Sequence, residues 1–154
     1  MKILIMSDSH NNIETMLETV AIESPELILH LGDHDRDCAP IECEYPEIPL
    51  RSVRGNCDRS SENLDVDEFT FGGKRFFMTH GHIYGVKFGY SRVIGAASSR
   101  GADILLFGHT HIQYCANYEG LIVINPGSIG MGEKTYAILE FMNGVPTWKI
   151  KKRK

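Results

Sequence analysis

The stretch Ile3-Leu4-Ile5-Met6-Ser7-Asp8-Ser9-His10, followed after one helical segment by Leu27-Ile28-Leu29-His30-Leu31-Gly32-Asp33, decides the fold. Ile3–Met6 is a short uninterrupted apolar run, which suits a strand buried on both faces. It ends in the polar loop Ser7–Asn12. Ile13, Met16, Leu17, Val20 and Ala21 then recur at helical spacing, and Ser24-Pro25 stops the helix. Leu27–Leu31 is a second buried-type strand. Strand, helix and strand in so short a span form a βαβ unit, which favours parallel pairing with a right-handed crossover.

Working outward, 34–49 is acidic and contains prolines, and reads as loop with little regular structure. Leu50–Val53 is a third strand ending at Gly55-Asn56. Val66–Phe71 and Lys74–Met78 flank Gly72-Gly73, a two-residue hairpin signal. A helix is expected from about Tyr90 to Ser99, with Gly101 past its end. Ile104–Phe107 leads into Gly108-His109. Gln113–Tyr118, Leu121–Asn125 and Thr135–Phe141 read as strands, with Val145–Ile150 as a candidate fourth. A βαβ-like first half and a β-rich second half predict an α/β (α+β) architecture. Its core is two packed mixed β-sheets, a β-sandwich, flanked by α-helices.

The chain has 154 residues, 42% hydrophobic and 23% charged, with a net charge of −4. That length suits one domain over 1–154, with no repeat or linker to divide it. The acidic balance argues against a general electrostatic grip on nucleic acid or on anionic membrane. No apolar stretch approaches the ~20 residues needed to span a bilayer, and Ile3–Met6 is too short for a signal-peptide core. Cys38, Cys43, Cys57 and Cys115 are few and irregularly spaced, so reduced thiols and a cytoplasmic location are expected. Cys38 and Cys43 could seed a zinc site, but no second pair matches them. The basic tail of Lys149, Lys151, Lys152, Arg153 and Lys154 is expected to be a frayed, solvated end.

Every cluster of Asp, Asn and His follows an apolar strand: Asp8 and His10, Asp33, Asn56, His80 and His82, His109 and His111. Loops beyond strand ends are where rigid scaffolds place binding groups. A single histidine beside a strand carries little meaning. The same placement repeated five times, with residue types that all bind hard or borderline cations, points to a metal site. In Asp8-x-His10 and His109-x-His111, a spacing of two lets both side chains converge. A site holding two cations needs a bridging carboxylate, and Asp33 on its own loop is the natural candidate.

The series Asp8-x-His10, Gly32-Asp33, Gly55-Asn56, His80-Gly81-His82 and Gly108-His109-Thr110-His111, in that order, resembles the calcineurin-like metallophosphoesterases. Asn125-Pro126-Gly127-Ser128 is similar to a motif of the small single-domain bacterial and archaeal phosphodiesterase branch. The resemblance implies two divalent transition-metal ions, manganese first, with nickel, iron or zinc as alternatives. One would be held by Asp8, His10, Asp33 and His111, the other by Asp33, Asn56, His80 and His109. It also implies a phosphodiesterase in which a metal-bridging hydroxide attacks a phosphodiester bond of a small or exposed substrate. Asp33, Asn56 and His82 are the residues expected to serve catalysis directly.

One position departs from the family. Many members carry a histidine directly after the Gly-Asn pair, where this chain has Cys57 followed by Asp58. A thiol, with an ordinary pKa of ~8.5 against ~6.5 for imidazole, is a poorer proton donor to a leaving alkoxide. His82 is the candidate replacement, against a role in orienting its neighbours by hydrogen bonds. Asp58 is expected to orient a ligand histidine or to pair with Arg54. Arg36 and Arg54 could reach the phosphate, although an ion pair within its own loop suits Arg54 equally. Asp35 and Asp37 are expected as solvated carboxylates or at the mouth of the site, and Tyr84, Phe88 and Tyr90 as core residues. The alternatives are a phosphomonoesterase or protein phosphatase, a nuclease, and a non-catalytic interaction scaffold like the retromer subunit that resembles this family. An exposed edge strand could support a homo-oligomer.

Overall fold

The computed structural model describes residues 1–153. Ten strands and three α-helices are arranged as two five-stranded mixed sheets packed face to face, with helices on both outer surfaces. The strands are β1 (Lys2–Met6), β2 (Leu27–His30), β3 (Leu50–Ser52), β4 (Val66–Phe71), β5 (Lys74–Thr79), β6 (Ile104–Leu106), β7 (Tyr114–Tyr118), β8 (Leu121–Asn125), β9 (Thr135–Met142) and β10 (Val145–Lys152). The helices are α1 (Ile13–Glu23), α2 (Ala39–Glu44) and α3 (Ser91–Ser99). One sheet has the order β10-β9-β1-β2-β3 and the other β4-β5-β6-β8-β7.

Side-chain alternation explains the layers. In β1, Ile3 and Ile5 point between the sheets, where they meet Phe76, Met78, Ile104, Leu106, Ile122 and Ile124 of the opposite sheet. Leu4 and Met6 point outward beneath Met16 and Val20 of α1. On the far side, Phe77, Leu105 and Val123 are covered by Val93 and Ala97 of α3. The central strands are therefore buried on both faces, which is why they read as continuous apolar runs. β1, β2 and β3 run parallel in one sheet, as do β5, β6 and β8 in the other. The loops leaving the C-terminal ends of both parallel sets meet at one edge of the sandwich.

Three expectations are corrected. The segment 34–49 is not loop: it forms a 3₁₀ turn over Asp35–Cys38 and then α2. Pro40 in the first turn suits a helix start, and buried Cys38 and Ile41 anchor the segment against β1 and β2. Up to Arg153 the basic tail is not frayed, because Lys149, Lys151 and Lys152 lie in β10, antiparallel to β9; Lys154 lies outside the described residues. Lys151 pairs with buried Glu23, Lys152 lies 2.7 Å from Glu133, and Arg153 pairs with Glu18. Phe88 is 97% exposed, while Tyr84 and Tyr90 pack against the core as expected. Buried Cys38 and exposed Cys43 belong to no group of potential metal ligands among the described residues. No helix among them is long and apolar enough to cross a membrane.

Candidate metal centre

Three of the five loops that carry the expected ligands turn sharply at those residues, just beyond the end of a strand. Asp8, His10, Asp33, His109 and His111 all have φ between 46° and 67°, the left-handed region that non-glycine residues seldom enter. Such conformations persist where surrounding bonds over-determine them. The Asp8 amide donates to the Gly32 carbonyl at 3.0 Å, and the Asp8 carbonyl accepts from the Ser128 hydroxyl at 2.8 Å. Asn125 braces the next loop, donating to the Gly108 carbonyl and to Thr110 Oγ1, each at 3.0 Å.

Close approach explains two of the motif glycines. A methyl group on Gly55 would lie 2.5 Å from the Asp33 amide nitrogen and 2.9 Å from its carboxyl carbon. One on Gly108 would lie 2.9 Å from Asp8 Oδ2. All three distances are too short for real carbon contacts, so Gly-Asn and Gly-His pairs are what let these loops press against the carboxylates.

Two groups of side chains converge as a result. Asp8, His10 and His111 form one, and Asp33, His80 and His109 the other, with the potential ligand atoms of each within 4.8 Å of one another. His111 Nε2 lies 3.1 Å from Asp8 Oδ1 and 3.3 Å from His10 Nε2. His80 Nε2 lies 3.1 Å from His109 Nδ1, 3.2 Å from Asn56 Oδ1 and 3.5 Å from Asp33 Oδ2. It is also 3.9 Å from Asp8 Oδ1, so the two groups adjoin.

The donor chemistry suits a cation. His80 donates Nδ1–H to the Leu31 carbonyl at 2.7 Å, which assigns the lone pair of the neutral ring to Nε2. Burial lowers the His80 pKa, but Asp33 and Asp8 prevail, raise it and favour a proton on Nε2 directed at Asp33. In the neutral ring the Nε2 lone pair would face the Asn56 oxygen, an Asp33 oxygen and a His109 nitrogen, acceptors that a positive ion satisfies. Asp8 Oδ1 is wholly buried and has no aligned hydrogen-bond donor. Its partner oxygen, Oδ2, accepts from Ser7 Oγ at 2.5 Å and from the His109 amide at 3.1 Å. In the same way the Cys57 amide holds Asp33 Oδ1 at 2.9 Å and leaves Oδ2 to the cluster.

The electrostatics follow from burial and proximity. Burial raises the Asp33 pKa, but hydrogen bonding and attraction from His80 prevail and hold this carboxyl far below its ordinary value. Burial likewise opposes Asp8, which His111, His80 and Ser7 keep below its usual range. Burial, followed by the charge of His80, brings His109 down to about 4. Burial and then Asp33 push the Cys57 thiol up to about 11. A neutral thiol of that kind is a weak acid toward a leaving group.

All seven expected ligands come together at this edge. His82 is peripheral, its ring centroid 5.4 Å from that of His80 and 6.2 Å from that of His109, and it belongs to neither group. Its Nδ1 is buried without a hydrogen-bond partner, and burial lowers its pKa. Asp58 neither orients a ligand histidine nor pairs with Arg54: its oxygens accept from the amides of His34, Asp35 and Gly55. Arg54 instead makes a two-pronged pair with Asp65 at 2.9 and 3.0 Å. Asp37 is not solvated but buried, accepting from Ser9 Oγ at 2.7 Å and the Asn11 amide at 2.8 Å. The bracing roles of Asp58, Asn125 and Ser128 were missed, since a polar residue that bonds backbone in another loop leaves no periodic trace, and so was that of Ser7, which bonds the carboxylate next to it.

The comparisons with known proteins agree with this geometry. A model of the calcineurin-like phosphoesterase superfamily domain matches residues 1–144. The probable metallophosphoesterase YsnB of Bacillus subtilis is 36% identical over 155 aligned residues, covering 96% of this chain and 88% of the relative. The phosphodiesterase MJ0936 of Methanocaldococcus jannaschii is 27% identical, covering 96% and 90%. A Streptococcus pneumoniae protein described as a predicted phosphoesterase superposes with a TM-score of 0.75 at 22% identity, covering 97% of each chain. Vps29 of Entamoeba histolytica complexed with zinc superposes at 0.74 with 16% identity, covering 99% of each. These two structures share the fold.

Proposed function

The chain belongs to the calcineurin-like phosphoesterase superfamily, and from that premise we propose that it is a metal-dependent phosphodiesterase with a two-cation centre. The observation that carries this reading is the convergence of two adjoining ligand groups around a buried Asp8 oxygen without an aligned donor. We assign Asp8, His10, Asp33 and His111 to one cation and Asp33, Asn56, His80 and His109 to the other. Manganese is the first candidate, with nickel, iron or zinc as alternatives.

When bound, a pair of divalent cations lowers the pKa of water and offsets charge on the phosphoryl oxygens. The residues of the chain hold everything else in place. The Leu31 carbonyl fixes the tautomer and orientation of His80. Ser7 and the His109 amide occupy one oxygen of Asp8, and the Cys57 amide one oxygen of Asp33, so that each carboxylate turns its other oxygen inward. Such preorganisation avoids rearrangement during reaction. Asn56 stands at the exposed lip of the cluster, where its amide can also meet the substrate. We assign proton transfer at the leaving oxygen to His82, because the Cys57 thiol, pushed up to about 11, is too weak an acid for it.

The name of the archaeal phosphodiesterase relative supports preference for a diester over a monoester. A phosphomonoesterase or protein phosphatase activity is the alternative within the family. A scaffold without catalysis has no need of a complete ligand set, and here every position holds a competent residue. One domain, a small phosphodiester substrate and a cytoplasmic setting complete the proposal, the last supported by the four free cysteines. The test uses metal-stripped protein with bis(p-nitrophenyl) phosphate and p-nitrophenyl phosphate, with and without Mn²⁺. Hydrolysis should require added metal, favour the diester, and fall at least ~10³-fold in Asp33→Ala. Lack of turnover with every divalent metal tried would refute the enzymatic reading.

A further inference from the structure

Beside the ligand cluster, on the Asn56 side, the surface opens into a cleft of about 330 Å³ walled by residues 34–36 and 57–61. It adjoins the proposed centre directly. His34 follows Asp33 and sets its ring edge-on to that of His10 at 5.0 Å, and Cys57 follows Asn56.

Two guanidiniums line this cleft, Arg36 and Arg59. Of the six arginines elsewhere, Arg51, Arg54, Arg100 and Arg153 are each paired with a carboxylate, while Arg75 and Arg92 form no ion pair among the described residues and lie away from this cleft. Among the described residues neither Arg36 nor Arg59 forms an ion pair, and the side-chain bond of Arg36 goes to Asn11 Oδ1 at 3.2 Å. The acids in the same walls are already committed. Asp58 is buried, with both oxygens taken by backbone amides at 2.7 to 3.2 Å. Asp35 Oδ2 accepts from the Ser61 hydroxyl and from Asn63 Nδ2. These carboxylates tie the two walls together and leave both arginines without an acid partner, in a chain whose overall charge is −4.

Planar guanidinium donors match the oxygens of a phosphate, and two of them at one polar cleft suit a dianion better than a sugar or an apolar group. We propose that this cleft is a substrate subsite for a second, terminal phosphate carried on one arm of the diester. The inference rests on the hydrolase reading above and deepens it: the favoured substrate is a phosphodiester bearing a phosphate monoester, held by Arg36 and Arg59 while the diester lies at the ligand cluster.

The kinetic test compares thymidine 5′-(p-nitrophenyl phosphate) with its 3′-phosphorylated form, both of which release p-nitrophenolate. Charge-assisted bonds of this kind should give the phosphorylated member a kcat/KM about tenfold higher, mainly through KM. In the double variant Arg36→Ala/Arg59→Ala that preference, read as the ratio of the two kcat/KM values measured on the same protein, should vanish. A second readout needs neither metal nor turnover: isotope-labelled, metal-stripped protein is titrated with inorganic phosphate and followed by amide NMR. Shifts at Asp35, Arg36, Arg59 and Ser60 that disappear in the double variant support the subsite. Equal kcat/KM for the two diesters overturns the proposal, as do phosphate-induced shifts that persist in the variant or are absent from the parent. If neither diester turns over with any metal, the hydrolase reading fails, and the phosphate titration then decides the cleft by itself.

Discussion

Replacing Gly55 with alanine perturbs the proposed bridging carboxylate while every proposed ligand residue stays in place in the sequence. The added methyl would sit 2.5 Å from the Asp33 amide and 2.9 Å from its carboxyl carbon. Restoring ordinary contact requires the Asp33 loop to retreat by roughly 0.5–1 Å, several times the ~0.2 Å tolerance of a metal–ligand distance. That retreat also strains the 2.9 Å bond from the Cys57 amide to Asp33 Oδ1. Two terms oppose each other in stability. Overpacking costs about 1–3 kcal/mol, while the lost freedom of the unfolded chain returns about 0.4–1 kcal/mol. Steric overlap wins because both nearest groups are part of a tightly bonded loop, leaving a net loss of about 1–2 kcal/mol. Metal affinity should fall ~10–100-fold, as when an outer support of a ligand is removed. Mn²⁺ titration against a competing chelator measures the affinity and thermal unfolding the stability. The control is Gly95→Ala in α3, where nothing lies within 4 Å of the new methyl, so helix propensity should raise stability by up to about 1 kcal/mol. A Gly55→Ala protein that binds Mn²⁺ within twofold of the parent would show that close approach does not set the position of Asp33.

Three further outcomes are expected. Asn125→Ala removes the donor that ties the loop of His109 and His111 to β8, and leaves the buried Gly127 amide, which donates to Asn125 Oδ1 at 2.9 Å, without that acceptor. Chemical denaturation should report a loss of about 1–3 kcal/mol, and Mn²⁺ affinity should fall with it. Burial opposes ionisation of Glu23, yet hydrogen bonds from Lys151 and Tyr136 prevail and hold its pKa below the ordinary 4.5. Its stabilisation is therefore complete above pH 4.5 and is lost as pH falls toward the lower folded-state value. Glu23→Gln should cost about 1.5–3 kcal/mol at pH 7 and show a shallower acid loss than the parent in denaturation series. Finally, Arg54→Ala should lower stability by less than ~1 kcal/mol and leave diester hydrolysis nearly intact, since its partner is Asp65 at a half-exposed site.

Residue type and order carried the ligand list, because strands buried on both faces must be apolar throughout and polar residues therefore collect where they end. Asp33 and Asn56 were legible in that way, each at the first loop after a strand. Asp58 was not, since its role is to receive three amides from two different loops, and nothing near it in the chain announces them. The helix at Ala39–Glu44 was hidden by its acidic residues and by a proline that signals a helix start as readily as a loop. The tail was misread because its charges suggested solvation, whereas their partners, Glu23, Glu133 and Glu18, lie far away in sequence.

By itself the sequence determined the layers of this protein and the chemical kind of its site. Local periodicity sets which face of each strand and helix is apolar, and that pattern requires no knowledge of distant neighbours. Only the tertiary structure decided that loops from two different sheets share one edge, bringing the His109 amide to Asp8 across 101 positions. It also decided that five of the proposed ligands sit in the left-handed region, that Gly55 and Gly108 must lack side chains, and that two arginines beside the proposed centre form no ion pair among the described residues. Those are properties of non-local packing, where the energy of many contacts selects a backbone shape that no short stretch of the chain prefers.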